Sequence, residues 1–163
     1  MFELPEKRNY TFKELEAVAI RLLARREHSR LELNTKLLRY TDQSLLIDDI
    51  LDYCIENNYL NNQRYADSYL RLRSQKGFGL NRIQQELKEK GISEQLLIEA
   101  LINEPQDWFE LALNTYTKKY HCNLPNDFLE KQKERNKRYR FMSYRGFSQE
   151  QIRYAESEGL QKG

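Results

Sequence analysis

His121 and Cys122 stand side by side, an imidazole and a thiol in adjacent positions, and such a pair is where a zinc site could begin. A closed tetrahedral site needs four donors. The other histidine and cysteine, His28 and Cys54, are far away in the chain and in no C-x-x-C frame, so the donor set is too short for a structural metal. Cys54 falls with Ile50, Leu51 and Ile55 on an apolar helical stripe and reads as a small buried thiol. Neither histidine has an aspartate or a nucleophile at a telling spacing. The chain has no G-x-S-x-G, no H-E-x-x-H and no Walker A loop. Gly77-Phe78-Gly79 follows a predicted helix rather than a strand, and no Gly-Lys-Ser/Thr comes after it, so it reads as a turn and not a phosphate loop. Asp48-Asp49 sits in an acidic helix and reads as surface. Tyrosines can stack on bases. Tyr65 and Tyr69 lie on a buried stripe and read as core, whereas Tyr139 and Tyr144 interleave with Arg138, Arg140 and Arg145 and leave binding open. No catalytic residue, cofactor or metal is expected, and the chain does not read as an enzyme.

What remains for recognition is charge. The net charge is only +2, but it is unevenly placed. Residues 21–40 hold six Lys or Arg against two acids, and residues 42–57 hold five acids and no base. Residues 64–90 hold seven bases against three acids, residues 92–116 five acids and no base, and residues 131–145 seven bases against one acid. A single run of this kind is usually a solvated helix face. Recurrence in register points instead to parallel basic and acidic stripes. A basic stripe suits a phosphate backbone or an acidic protein, and acidic stripes beside it favour a partner with charge of both signs.

The elements that position these charges are helices. With 6 Gly and 3 Pro in 163 residues, breakers are few. Thr11-x-x-Glu14 and Ser29-x-x-Glu32 read as capping boxes. The first precedes Leu15, Val18, Ala19, Leu22 and Leu23 at helical spacing, and the second opens a helix with Leu33, Leu37 and Leu38. A third helix carries Ile47, Ile50, Leu51 and Cys54 and ends at Asn57-Asn58. A second unit starts at Asn61-Asn62, with Tyr65, Ala66, Tyr69 and Leu70 inward, then Ile83 and Leu87, then Leu96, Leu97, Ala100 and Leu101. A third unit opens at Pro105 and Asp107, with Trp108, Leu111, Ala112 and Thr115. Its longest helix runs from about Asn126 to Arg145 with Phe128, Leu129, Tyr139 and Met142, and a last one is capped by Ser148-x-x-Gln151. Aligning Ser29–Leu37 with Gly79–Leu87 superposes Leu33 on Ile83 and Leu37 on Leu87, and Lys90-Gly91-Ile92-Ser93 matches Arg145-Gly146-Phe147-Ser148. The expected fold is all-α: an extension over 1–10, then three tandem three-helix repeats over 11–60, 61–104 and 105–163, stacked into an elongated, curved solenoid-like array. Small-angle scattering should then give a radius of gyration above the ~15 Å of a compact chain of this length. No apolar run is long enough to span a membrane, and Met1 to Arg8 has no apolar signal segment, so a cytoplasmic protein is expected. With no long uncharged stripe for self-pairing, it is expected to be a monomer.

The stretch Asn58-Tyr59-Leu60-Asn61-Asn62-Gln63-Arg64-Tyr65-Ala66 resembles the signature of the RecX regulatory proteins. The likeness continues through Leu70, Arg71, Lys76-Gly77-Phe78-Gly79, Arg82-Ile83, Glu86-Leu87 and Lys90-Gly91-Ile92. Upstream, Ala19 to Ser29 with Glu32-Leu33 and Lys36-Leu37 is similar to the family's first repeat, and Arg145-Gly146-Phe147-Ser148 with Ile152 to its third. Asn123 to Lys137 departs from that pattern. The resemblance implies a non-enzymatic protein that binds the RecA recombinase filament, lies in its groove, and lowers its ATPase, strand-exchange and coprotease activities. By charge and helix position, the candidate partner-binding residues are Arg25, Arg26, Arg71, Arg73, Lys76, Lys88, Lys90, Lys131, Lys133, Arg135, Arg138, Arg140 and Arg145. Single-stranded DNA within the filament is a further candidate contact. Two other readings stay open, a direct DNA-binding protein of three-helix units and an unrelated interaction scaffold.

Overall fold

The computed structural model describes residues 6–121 and 123–161, and these are all-α, with nine helices and no strand among them. The helices are α1 (Phe12–Leu23), α2 (Arg30–Leu37), α3 (Ser44–Glu56), α4 (Asn62–Gln75), α5 (Leu80–Glu89), α6 (Glu94–Asn103), α7 (Trp108–Lys119), α8 (Phe128–Arg145) and α9 (Gln149–Gln161). Cys122 lies outside the described residues, as does the start of the N-terminal extension.

Most helices start where a side chain can take up the free N–H groups of the first turn. Thr11 accepts from the Glu14 backbone N–H while the Glu14 carboxylate accepts from that of Thr11, a full capping box. Ser148 and Gln151 make the same reciprocal pair ahead of α9. Ser29 caps α2, but the expected box is only half made. The Glu32 carboxylate turns instead to Arg26, because an ion pair is stronger than a bond to a neutral N–H. The longest helix begins at Phe128, two residues later than expected, because Asp127 accepts from the Glu130 N–H and becomes the cap.

The chain divides into two compact units, Met1–Ser68 with Leu87–Glu99, and Tyr69–Glu86 with Ala100–Gly163. In the first, Leu15, Val18 and Ala19 of α1 meet Leu33 and Leu37 of α2 and Ile47, Ile50, Leu51 and Cys54 of α3. Burying each Leu or Ile contributes about 1.5–3 kcal/mol. Cys54 is sealed in this core, and burial first, then the charge of Glu16, pushes its thiol up to about 11, so it has little thiolate to react with. In the second unit, Ala112 and Tyr116 of α7 pack with Met142 of α8, Phe147, and Ile152 and Ala155 of α9. Small residues bring α7 and α9 together: a Cβ on Gly159 would lie 3.0 Å from the Tyr116 ring. Leu113 and Tyr116, at 3% and 2% exposure, are core residues that the stripe through Trp108 and Leu111 did not include. Phe128 and Leu129, read with the apolar positions of the long helix, stand out in solvent at 75% and 68%.

The repeat alignment agrees with the burial. Leu33, Leu37 and Ile83 are fully buried, and Leu87 is 1% exposed. Gly91 and Gly146, paired by the second alignment, both take left-handed backbone, with φ of 76° and 98°. Ser93 and Ser148 then both cap the helix that follows.

Candidate partner-binding surface

The basic residues fall into three groups by what their charge touches. The first group is tied to carboxylates. Arg26 grips both oxygens of Glu32 at 2.9 and 3.2 Å, and Lys90 reaches the same carboxylate at 3.4 Å. Burial opposes ionisation of Glu32, but the hydrogen bond and field of Arg26, with the field of Lys90, outweigh it and hold the carboxyl below its ordinary range. Arg71 pairs with Glu104 at 2.7 Å, and Arg135 with Glu156 at 2.5 Å. Arg73 donates twice to Glu86, at 2.8 and 2.5 Å, and the same carboxylate takes Arg82 at 2.8 Å and the Tyr69 hydroxyl at 2.9 Å. This hub orders the second unit. The spacing of Arg82 and Glu86 signals their pair; the thirteen-residue step to Arg73 gives no such signal.

Arg138 forms the second group alone. Charge and helix position put it on the surface with the other candidate contacts, and the structure corrects this: Arg138 is 5% exposed. Its Nε donates to Glu134 at 2.9 Å, its Nη1 to the Tyr116 hydroxyl at 3.0 Å, and its guanidinium stacks 4.7 Å from the Tyr120 ring. The cause is geometric. Arg138 and Met142 are one turn apart on the face of α8 that meets α7, so the aliphatic stem is buried and a local cage receives the head.

The third group, Arg25, Lys76, Lys88, Lys131, Lys133 and Arg140, is exposed and makes no ion pair among the described residues. Arg145 stands between the groups. It is half-buried, donates to the Lys76 carbonyl at 2.9 Å and stacks over Phe78 at 4.4 Å, with no carboxylate. Tyr144, at 68% exposure, stacks under Arg82, and Tyr139 is 43% exposed, so both tyrosines left open by the sequence are on the surface.

The first unit also holds an uncharged histidine that no local sequence signal marks. His28 is 1% exposed. Its Nδ1 lies 2.9 Å from the Arg26 carbonyl, which can only accept, and its Nε2 lies 2.8 Å from the Lys36 ammonium, which can only donate. The proton is therefore on Nδ1 and the ring is neutral. Burial, and the charges of Arg26 and Lys36, lower its pKa below the ordinary 6.5 against the pull of the Arg26 carbonyl and Glu32. The unfolded chain thus binds a proton that the folded chain refuses. The contribution of His28 is present above pH 6.5 and is lost as pH falls below it towards the folded pKa. Urea unfolding at pH 7.5 and 5.5 should show wild type losing stability at the lower pH and His28→Gln losing less.

No helix among the described residues is long and apolar enough to cross a membrane, and none of their His, Cys, Asp and Glu side chains form a group able to hold a metal ion. Fold and surface define an all-helical chain of three-helix domains whose distinctive chemistry is exposed positive charge. Residues 61–101 match the second three-helix domain of RecX and residues 106–155 the third. Regulatory protein RecX of Vibrio vulnificus is 44% identical over 140 residues, covering 86% of this chain and 89% of its own. That of Ectopseudomonas mendocina is 40% identical over 134 residues, covering 82% and 87%. The chain belongs to the RecX family of regulatory proteins. The crystal structure of RecX from Lactobacillus salivarius shares the fold, with a TM-score of 0.69 at 23% identity over 93% of this chain and 97% of that one.

Proposed function

We propose that this chain is a cytoplasmic, monomeric regulator that binds the filament of the RecA recombinase and lowers its ATPase, strand-exchange and coprotease activities without catalysing a reaction of its own. One observation carries the reading: relatives named regulatory protein RecX match over most of the chain, two of them at 44% and 40% identity. The sorting of the cations supports it. Most arginines are tied to carboxylates inside their own unit, while Lys131, Lys133 and Arg140 of α8 are left exposed and unpaired among the described residues. Such charges are available to a partner surface or to the DNA within it, and they cost little stability to change. Three repeats over 11–60, 61–104 and 105–163 would present such charges at several points along the partner, with Arg25 in the first, Lys76 and Lys88 in the second and the α8 cations in the third.

The test is a RecA ATPase assay on single-stranded DNA with added protein. Wild type should inhibit, and inhibition should fade from low to moderate salt, because exposed charges are screened over ~10 Å at 0.1 M. The variant Lys131→Glu/Lys133→Glu/Arg140→Glu keeps good helix formers at all three positions. Each surface change should shift stability by no more than about 0.5 kcal/mol. Its apparent affinity should drop at least about tenfold, which needs only ~1.4 kcal/mol. Arg138 is left in place, because replacing it would test the core instead of the surface. A triple variant that is folded by circular dichroism and inhibits like wild type would refute the assignment to α8. Absence of any wild-type effect on RecA would refute the proposal itself.

A further inference from the structure

In the second unit, the C-terminal ends of three helices, α4 at Gln75, α7 at Lys119 and α8 at Arg145, border one cleft of about 380 Å³. Four cations line it, Lys76, Lys118, Lys119 and Arg145, and no carboxylate does. None of the four makes an ion pair among the described residues. Two of them, Lys118 and Lys119, lie between the acidic run 92–116 and the basic run 131–145.

Cations at helix C-termini offset the macrodipole, and each terminus carries roughly half a negative charge. Three termini supply about −1.5 against four unit positive charges, so the dipoles leave more than half of the charge unanswered. The cleft is also built, not merely a meeting of flexible lysines. Arg145 is fixed by its bond to the Lys76 carbonyl at 2.9 Å and its stacking on Phe78 at 4.4 Å. The Lys119 ammonium sits 3.6 Å above the Phe141 ring, which also lines the cleft. Gly77, with φ of 80°, lies so close to the Thr115 side chain that a Cβ would stand 2.8 Å from its hydroxyl oxygen. That wall therefore depends on the absence of a side chain at residue 77.

We infer that this cleft is a binding site for the phosphate group of a nucleotide, either free or within a single-stranded DNA backbone. A phosphate concentrates its charge and its acceptor oxygens at one point, and it can take a fixed guanidinium and several ammonium groups at once. Single carboxylates of an acidic peptide spread their charge along a chain and match a convex stripe better than a cleft of this volume. The volume falls at the lower end of the range of small-ligand sites. The site belongs to this chain by itself and needs no recombinase.

The test therefore uses the isolated full chain. Fluorescence anisotropy of a labelled oligothymidylate at low salt reads backbone binding. Unlabelled thymidine triphosphate and poly-glutamate serve as competitors. Lys118→Glu/Lys119→Glu should weaken binding at least tenfold. Lys13→Glu/Arg21→Glu, an equal charge change on exposed positions of α1, should weaken it less than threefold. Displacement by the triphosphate at concentrations near those of the oligonucleotide identifies a free nucleotide as the ligand, and its failure to compete identifies the backbone. If the Lys118/Lys119 variant does not fold, Lys118→Gln/Lys119→Gln takes its place, with at least a threefold loss expected. The inference is overturned if neither probe binds, if both charge changes weaken binding equally, or if poly-glutamate competes as well as the triphosphate. Failure here leaves the RecA assay untouched, and failure there leaves this one untouched.

Discussion

Replacing Arg138 with alanine is expected to destabilise the second unit by about 3 kcal/mol, the cost of breaking a buried charged network from one side. The side chain is 5% exposed and is the donor to both Glu134 and the Tyr116 hydroxyl. Its loss leaves the Tyr116 hydroxyl, on a residue 2% exposed, without this donor, and it leaves a gap beside the Tyr120 ring. Hydrogen bonding from Arg138 is also the main reason that the Glu134 carboxyl titrates below its usual range. Arg138→Lys should recover only part of the stability, because an ammonium cannot serve two acceptors in the planar geometry of a guanidinium. Thermal unfolding checks this. A change in Arg138→Ala below about 1 kcal/mol would mean that the network is an ornament on an apolar core.

Leu87→Ala should cost about 2–5 kcal/mol by the transfer and cavity costs of a buried leucine. Leu87 is 1% exposed and sits one turn after Ile83, which is fully buried. The expected loss is a large share of the 5–15 kcal/mol that holds an ordinary domain together. Urea unfolding gives the value directly. A loss below about 1 kcal/mol would put the alignment of Leu37 with Leu87 out of register.

The helices were legible in the sequence because their signals are local. Capping residues at Thr11, Asp107 and Ser148 and apolar spacing around Leu15, Ile50 and Tyr65 act within a turn or two of chain, and the structure keeps them. The amphipathic register of α7 and α8 was less legible. Those helices are rich in aromatic and charged residues that can face either way, so Tyr116 goes in, Phe128 stays out and Arg138 is buried against the rule for its type. The surface was hardest to read. Charge runs show how many cations a segment carries but not which are already answered. Whether Arg73 is free depends on Glu86, thirteen residues away, and whether Arg26 is free depends on a carboxylate that a capping rule had assigned elsewhere. The cleft at Lys118 and Lys119 is assembled from three helix ends, which no window of sequence contains.

The turn at Gly79 and the turn at Gly146 are locked backbone to backbone. The Gly79 N–H donates to the Arg145 carbonyl at 2.8 Å and the Asn81 N–H to the Gly146 carbonyl at 3.1 Å. A Cβ on Gly146 would lie 2.4 Å from the Arg82 backbone nitrogen, and one on Gly79 would lie 2.5 Å from the Gly146 carbonyl carbon. The opening turn of α5 is thus closed by the end of α8, not by a side chain of its own. During synthesis, α5 leaves the ribosome with those N–H groups open to water, and they stay so until residue 146 has emerged. The second unit therefore cannot reach its native form piece by piece from its N-terminal side. At the 5–20 residues per second of a translating ribosome, α5 waits several seconds for its partner turn, and a chain cut off before α8 leaves it exposed for the protein's lifetime.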